Sequence, residues 1–257
     1  MLILNMVIFI TGLAVGSFLN VVALRYLKKQ SVVLPPSHCP KCLTPLKSGD
    51  LIPLVSYLLL KGKCRYCQEA ISPVYPIVEL LTGVIFLWSY LVFGFSLQFL
   101  EFIVLGSFLI VLSIIDFKEF ILPDKIVFYS LIAGIILKIG YVVSGSNISL
   151  LLNNLAGALI GFLFFYLIFL LYPEGMGGGD VKLSFVLGLF VGFPQIFLWL
   201  FLSFFLGSLG GVLYLFTLKK RVKEPLPFGP FLALSALITL SWGTYLINLY
   251  LSLIWRI

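Results

Sequence analysis

The sequence predicts an all-α polytopic membrane protein of about eight transmembrane helices. Three observations carry that prediction. Of the 257 residues, 61% are hydrophobic and 11% charged, with a mean hydropathy of +1.16. A soluble domain carries about 25% charged residues; too few remain here to solvate a globular surface, which excludes a soluble enzyme and a disordered chain. Long stretches hold no Asp, Glu, Lys or Arg, namely 1–24, 80–100, 102–115, 139–173, 183–218 and 225–255, and about 20 apolar residues cross a bilayer core as a helix. None of these stretches alternates as a transmembrane barrel requires.

Taken in order, the spans are expected near 3–24, 76–94, 99–116, 125–143, 151–172, 180–192, 194–217 and 229–254. The first has no basic residue before its apolar run and no small-residue cleavage site, so it is a permanent span rather than a signal peptide. The 139–173 stretch breaks at Ser144-Gly145-Ser146-Asn147. The 183–218 stretch is too long for one crossing and breaks at Gly192-Phe193-Pro194. The expected organisation is a first transmembrane helix (1–24), a polar loop (25–75) and a transmembrane bundle (76–257).

Basic residues orient the chain. With the N-terminus outside, all of the 17 Lys and Arg residues except Lys138 and Arg256 face the cytoplasm, including Arg25, Lys182 and the Lys219, Lys220, Arg221, Lys223 group. The positive-inside rule therefore accounts for the net charge of +7. Nucleic-acid binding is not needed to explain it, and attraction to anionic membrane lipid follows from it.

The loop carries all four cysteines, as Cys39-Pro-Lys-Cys42 and Cys64-Arg-Tyr-Cys67, with 21 residues between the two pairs. Each C-x2-C knuckle presents two thiolates from one turn, and two knuckles complete a tetrahedral structural zinc site. Lys41, Lys63 and Arg65 would offset part of its negative charge. Two disulfides are the alternative, which a reducing cytoplasm disfavours. His38 is the single histidine and reads as a loop residue, so a histidine-dependent nucleophile and an H-E-x-x-H metalloprotease are both set aside.

Two aspartates stand out among the ten acids. Asp116 closes the apolar run 110–115, and Asp180 follows Gly177-Gly178-Gly179 and opens the next. Ionisable groups where a helix meets the bilayer edge are functional candidates. A carboxyl pair sharing one proton can hold a water, one member acting as general base and the other hydrogen-bonding a scissile carbonyl. Such a pair titrates as a unit. Gly177, Gly178 and Gly179 would admit an extended substrate backbone and allow φ > 0. Lys182 either supports the charge of Asp180 or is one more positive-inside residue. Asp180 has an alternative as a helix N-cap; Asp124 reads as the cap of the following span, and Glu101 as a solvated residue at the outer interface.

These residues together resemble the type IV prepilin peptidases, or leader peptidase/N-methyltransferases. The matching pieces run in order: Gly16-Ser17-Phe18-Leu19-Asn20-Val21-Val22 with Arg25; the two cysteine knuckles; Ile52-Pro53 with Ser56-Tyr57; Gly62-Lys63-Cys64-Arg65; Tyr75-Pro76 with Glu79; Ile115-Asp116 to Leu122-Pro123-Asp124; Gly177-Gly178-Gly179-Asp180 with Lys182-Leu183; and Pro227-Phe228-Gly229-Pro230. The resemblance implies a GxGD-type membrane aspartic protease of the bacterial inner membrane, with Asp116 and Asp180 as the catalytic pair. Its substrates would be prepilins or pseudopilins of pilus and type II secretion systems. Their basic leader would be cut after Gly at the cytoplasmic face, and the new N-terminal residue methylated from S-adenosylmethionine. Glu79, Asn20 and Arg25 are the candidates for holding that cofactor or the amine, and Glu79 has an alternative as a charge on the helix dipole. Three positions depart from the common family pattern: Leu51 in place of Asn, Val74 in place of Arg and Gln68 in place of Gly. Competing readings are a peptidase without methyl transfer, a non-catalytic assembly factor and an ion-coupled transporter. Acids at one membrane edge, none at the bilayer centre and no inverted repeat argue against the transporter.

Overall fold

The structure, a computed structural model, describes residues 1–145, 147–218 and 226–255. Ser146, the basic group Lys219, Lys220, Arg221 and Lys223, and Arg256 lie outside the described residues. The chain forms two compact units, Met1–Phe99 and Leu100 onward.

In the first unit, α1 (Leu2–Leu27) packs along α3 (Val74–Phe93). Small residues bring the two backbones together. A Cβ on Gly12 would lie 2.8 Å from the Cα of Gly83, and one on Gly16 would lie 2.8 Å from the Cα of Glu79. Close approach through small side chains is how helices associate where lipid removes the hydrophobic drive between them. Between these helices runs the cysteine loop with the short α2 (Val55–Leu59).

The second unit begins within α4 (Leu97–Glu119) and continues through α5 (Asp124–Val143), α6 (Ile148–Leu171), α7 (Gly178–Val191), α8 (Gln195–Leu218) and α9 (Gly229–Trp255). The expected break before α6 is present, and the Asn147 side chain caps that helix by accepting from Ser149 N–H at 3.1 Å. The break before α8 is present too; Gly192 ends α7 at φ +74°, a conformation that favours glycine.

Among the described residues, eight long helices match the eight expected spans, but one differs in kind. Seven are long and apolar enough to cross a membrane. The span expected at 180–192 is instead the 14-residue α7, about 21 Å long against a hydrocarbon core of about 30 Å. It is the buried centre of its unit, packed by α5, α6, α8 and α9, with Leu183, Ser184, Val186 and Leu187 at most 1% exposed. α6 reaches it through Gly157 and Gly161, whose positions leave no room for a Cβ beside the carbonyls of Gly188 and Ser184. α8 and α9 join through Trp199, which donates to the Leu232 carbonyl, and through the Ser203–Ser235 hydroxyl pair.

Candidate active site and metal centre

Asp116 sits on the last turns of α4 with 5% exposure. Its Oδ2 accepts the backbone N–H of Gly229 at 2.8 Å. Gly229 is the first residue of α9, and a Cβ there would lie 2.8 Å from that same oxygen, so only glycine lets the helix end come this close. Leu122, in the turn after α4, fills the space between the two aspartate-bearing segments. It touches the positions a Cβ would take on Gly179 and Gly229, at 2.8 and 3.1 Å. Asp180 lies one residue past Gly179 and within electrostatic range of Asp116. The segments that carry Asp116 and Asp180 therefore meet at Leu122, and the Asp180 carboxyl lies 3.3 Å from the position a Cβ would take on Gly177.

The glycine run behaves differently from the expectation. Gly177 has φ −74°, and the positive-φ glycines are Gly62, Gly94, Gly145 and Gly192. Gly177 is the N-cap of α7 and Asp180 its third helical residue, which removes the reading of Asp180 as the cap itself. Gly179 is required by Leu122, whereas Gly178 faces open space. Two further expectations are corrected. Asp124 is the first helical residue of α5 after an N-cap at Pro123 and makes no cap bond. Both of its oxygens hold the Lys182 ammonium, at 2.7 and 2.8 Å. Lys182 is thus engaged by Asp124, because it lies two residues beyond Asp180 and a helix turns such positions to different faces.

Glu101 is likewise not solvated. It is 6% exposed and ion-paired with the equally buried Lys138. The sequence showed this partnership only as two opposite charges, each alone in an apolar run, and each too costly to leave unpaired there.

In the first unit, the four cysteine sulfurs lie within 4.8 Å of one another and none is in a disulfide. A tetrahedral Zn–S length near 2.3 Å implies about 3.8 Å between sulfurs, and Cys39 Sγ and Cys67 Sγ are 3.8 Å apart. The two knuckles repeat one backbone pattern. Leu43 N–H donates to the Cys39 carbonyl and Cys39 N–H to the Thr44 carbonyl; Gln68 N–H donates to the Cys64 carbonyl and Cys64 N–H to the Glu69 carbonyl. Leu43 and Gln68 both take the left-handed conformation, at φ 58° and 61°, which explains why glycine suits position 68. Hydrogen bonds from Thr44 pull the Cys42 thiol down to about 6. Cys67, despite a lowering bond from the Glu69 backbone, is pushed up to about 12 by burial and the crowding sulfurs. Four thiolates this close need a central cation, and the donor set fits zinc. His38 is not in the cluster; its Nδ1 lies 3.0 Å from the Pro36 carbonyl.

The charges around the module were only partly foreseen. Lys41 pairs with Glu69 at 3.5 Å and Arg65 with Asp50 at 2.6 Å. Asp50 also accepts from Lys47 N–H and Tyr66 hydroxyl, and the Arg65 guanidinium holds its carboxyl below the usual carboxylate range. Asp50 thereby staples the 47–50 turn to the second knuckle, a role no motif announced.

The three candidates for the methyl donor separate. Arg25 donates to the carbonyls of Ser31, Val32 and Pro35 at 2.6–3.0 Å, which ties its guanidinium to the start of the loop. Asn20 is 1% exposed and donates to the Tyr75 carbonyl, while its Oδ1 has no hydrogen-bond partner among the described residues. Glu79, one turn beyond Tyr75 on α3, is 7% exposed and accepts the Leu54 N–H at 2.8 Å. It is absent from the first turn of α3, so the helix-dipole reading does not apply. A buried carboxylate and an unpaired buried amide oxygen are both groups that suit a cationic amine or sulfonium, so the chemistry of Glu79 and Asn20 fits such a group.

Comparison with known proteins decides the family. Residues 103–212 match the family described as type IV leader peptidase, and residues 10–93 match the bacterial peptidase A24 N-terminal domain. A Bacillus subtilis protein named prepilin leader peptidase/N-methyltransferase is 32% identical over 96% of this chain and 98% of its own. The chain belongs to the type IV leader peptidase family. A Pseudomonas aeruginosa protein of the same name is 36% identical over 93% of this chain and 91% of its own. An Escherichia coli type 4 prepilin-like proteins leader peptide-processing enzyme is 37% identical over 89% and 90%. No solved structure matches. As a family member, the chain is a multi-pass membrane protein and an enzyme with peptidase and methyltransferase activities.

Proposed function

We propose that the chain is a membrane aspartic endopeptidase that removes the leader of type IV prepilins or pseudopilins after Gly and then methylates the new N-terminal amine. Asp116 and Asp180 carry the cleavage. The meeting of the two aspartate-bearing segments at Leu122, with Gly229 N–H on Asp116 and Asp180 within electrostatic range of it, supports the reading more than any other observation.

Two carboxyl groups within range of each other share one proton. The ionised member takes a proton from a water as its oxygen attacks the scissile carbonyl carbon. The protonated member hydrogen-bonds the carbonyl oxygen as negative charge develops there. Collapse of the tetrahedral centre breaks the C–N bond, and the leaving amine takes up a proton. The open space at Gly178 accommodates the substrate backbone.

For methyl transfer, S-adenosylmethionine supplies an electrophilic methyl group when bound. Glu79 and Asn20 would hold the amine and the sulfonium, Glu79 by charge and Asn20 through its free amide oxygen, and Arg25 fixes the start of the loop. A zinc ion held by Cys39, Cys42, Cys64 and Cys67 would be structural, because four thiolates leave no open position for water. The distribution of basic residues supports an N-terminus outside the inner membrane and both aspartates at the cytoplasmic face, where a leader emerges.

Purified protein incubated with a prepilin and S-adenosylmethionine tests both halves. Asp116→Asn and Asp180→Asn are each expected to lower cleavage by about 10³-fold or more while the protein stays folded. Normal cleavage by either variant rejects the mechanism. Glu79→Gln is expected to cut but not methylate, and undiminished methylation removes Glu79 from the cofactor site.

A further inference from the structure

Lys138 of α5 is buried among groups that neither cleavage nor methyl transfer uses. Its ammonium donates to Glu101 of α4 and, at 3.3 Å, to the carbonyl of Phe190 near the end of α7. It also lies 5.6 and 5.8 Å from the ring centroids of Tyr141 and Phe190. Glu101 and Lys138 are each 6% exposed. One side chain thus ties together α4, which carries Asp116, and α7, which carries Asp180. The tie is at the far end of both helices. About 22 Å of α4 separates Glu101 from Asp116, and about 15 Å of α7 separates Phe190 from Asp180.

Apolar packing is non-directional, and α4 buries its stripe through large side chains such as Phe102, Leu105, Leu109 and Leu112. Such a helix can shift along its axis without losing much buried area. A buried ion pair adds little net stability over an apolar pair of the same volume, and its best-attested use is to fix register. The geometry points to Glu101 and Lys138 as positioning residues: they set the axial register of α4 against α7 and thereby the separation of Asp116 from Asp180. The cleavage readout rests on the proposed peptidase function; the hydrogen-exchange readout does not.

Leader cleavage by the purified full-length protein, paired with amide hydrogen exchange over residues 176–184 measured without substrate, tests this role. Glu101→Gln/Lys138→Met removes both charges together. It is expected to keep an unfolding temperature near wild type, yet to lose about tenfold to a hundredfold in kcat at unchanged KM and to exchange faster over 176–184. Glu101→Asp keeps both charges but shortens the reach, and is expected to lose about threefold in kcat with the same exchange signature. A merely structural pair would lower the unfolding temperature and leave kcat per folded molecule and local exchange at wild-type values. That result overturns the proposal, and Glu101→Asp decides it if the double variant does not fold. If the wild type fails to cleave, the peptidase function falls and the exchange measurement still decides the register claim.

Discussion

In the cysteine module of the first unit, each knuckle is shaped by bonds made within a few residues of its sulfurs, the backbone pairs and the left-handed Leu43 and Gln68, and the Asp50 staple joins the second knuckle to the 47–50 turn. In the second unit, Asp116 and Asp180 are placed by helices far apart in the chain, packed by apolar side chains and pinned at a few polar points, Gly229 N–H and the Lys138 node among them. Local bonding tolerates loose surroundings, since the donor set travels as one piece. Convergent helices do not, because a small axial shift of either one moves a carboxyl group directly. The cysteine module should therefore be breakable as a unit, and the aspartate site adjustable by degrees.

Three further changes probe that contrast. The largest is metal removal. Structural zinc sites contribute on the order of 10 kcal/mol of apparent folding free energy. Cys39→Ser/Cys64→Ser is expected to lose the one bound zinc, measured by metal analysis, and to lose methyl transfer more completely than cleavage. Equal loss of both activities would mean that the two regions are not organised independently. The second is Gly229→Ala. Its methyl group must displace the Asp116 carboxyl, and cleavage is expected to fall about tenfold to a hundredfold with the unfolding temperature nearly unchanged. Wild-type cleavage would show that Gly229 does not position Asp116. The smallest is Gln68→Gly, which relieves a left-handed side-chain residue and should stabilise the zinc module by about 1 kcal/mol, read as slower zinc loss to a chelator. Faster loss would contradict the strain reading.

The module was legible from the sequence because its four cysteines stand as two C-x2-C pairs, each of which brings two sulfurs together within one turn. The aspartates were legible as candidates because a carboxyl at the end of an apolar run is costly without a use. Gly229 was visible only as part of Pro227-Phe228-Gly229-Pro230; its contribution is a backbone N–H, which every residue but proline carries, so side-chain chemistry did not point to it. Lys182 was read beside Asp180 because the two are neighbours in sequence, whereas the helix turns it toward Asp124. Arg25 looked free to hold a ligand because the carbonyls that engage it belong to an irregular loop.

By itself the sequence determined the membrane class, the helical architecture and the grouping of the four cysteines. Backbone polar groups in lipid must be satisfied within their own segment, so apolar length dictates helices, and the cysteine spacing dictates the knuckles. Only the tertiary structure decided which charges meet: Asp124 with Lys182, Glu101 with Lys138, and Gly229 N–H with Asp116. The reason is physical. Each of these partners comes from a different helix, and partner choice is set by which helix faces and ends pack together, a property of the whole unit rather than of any local stretch.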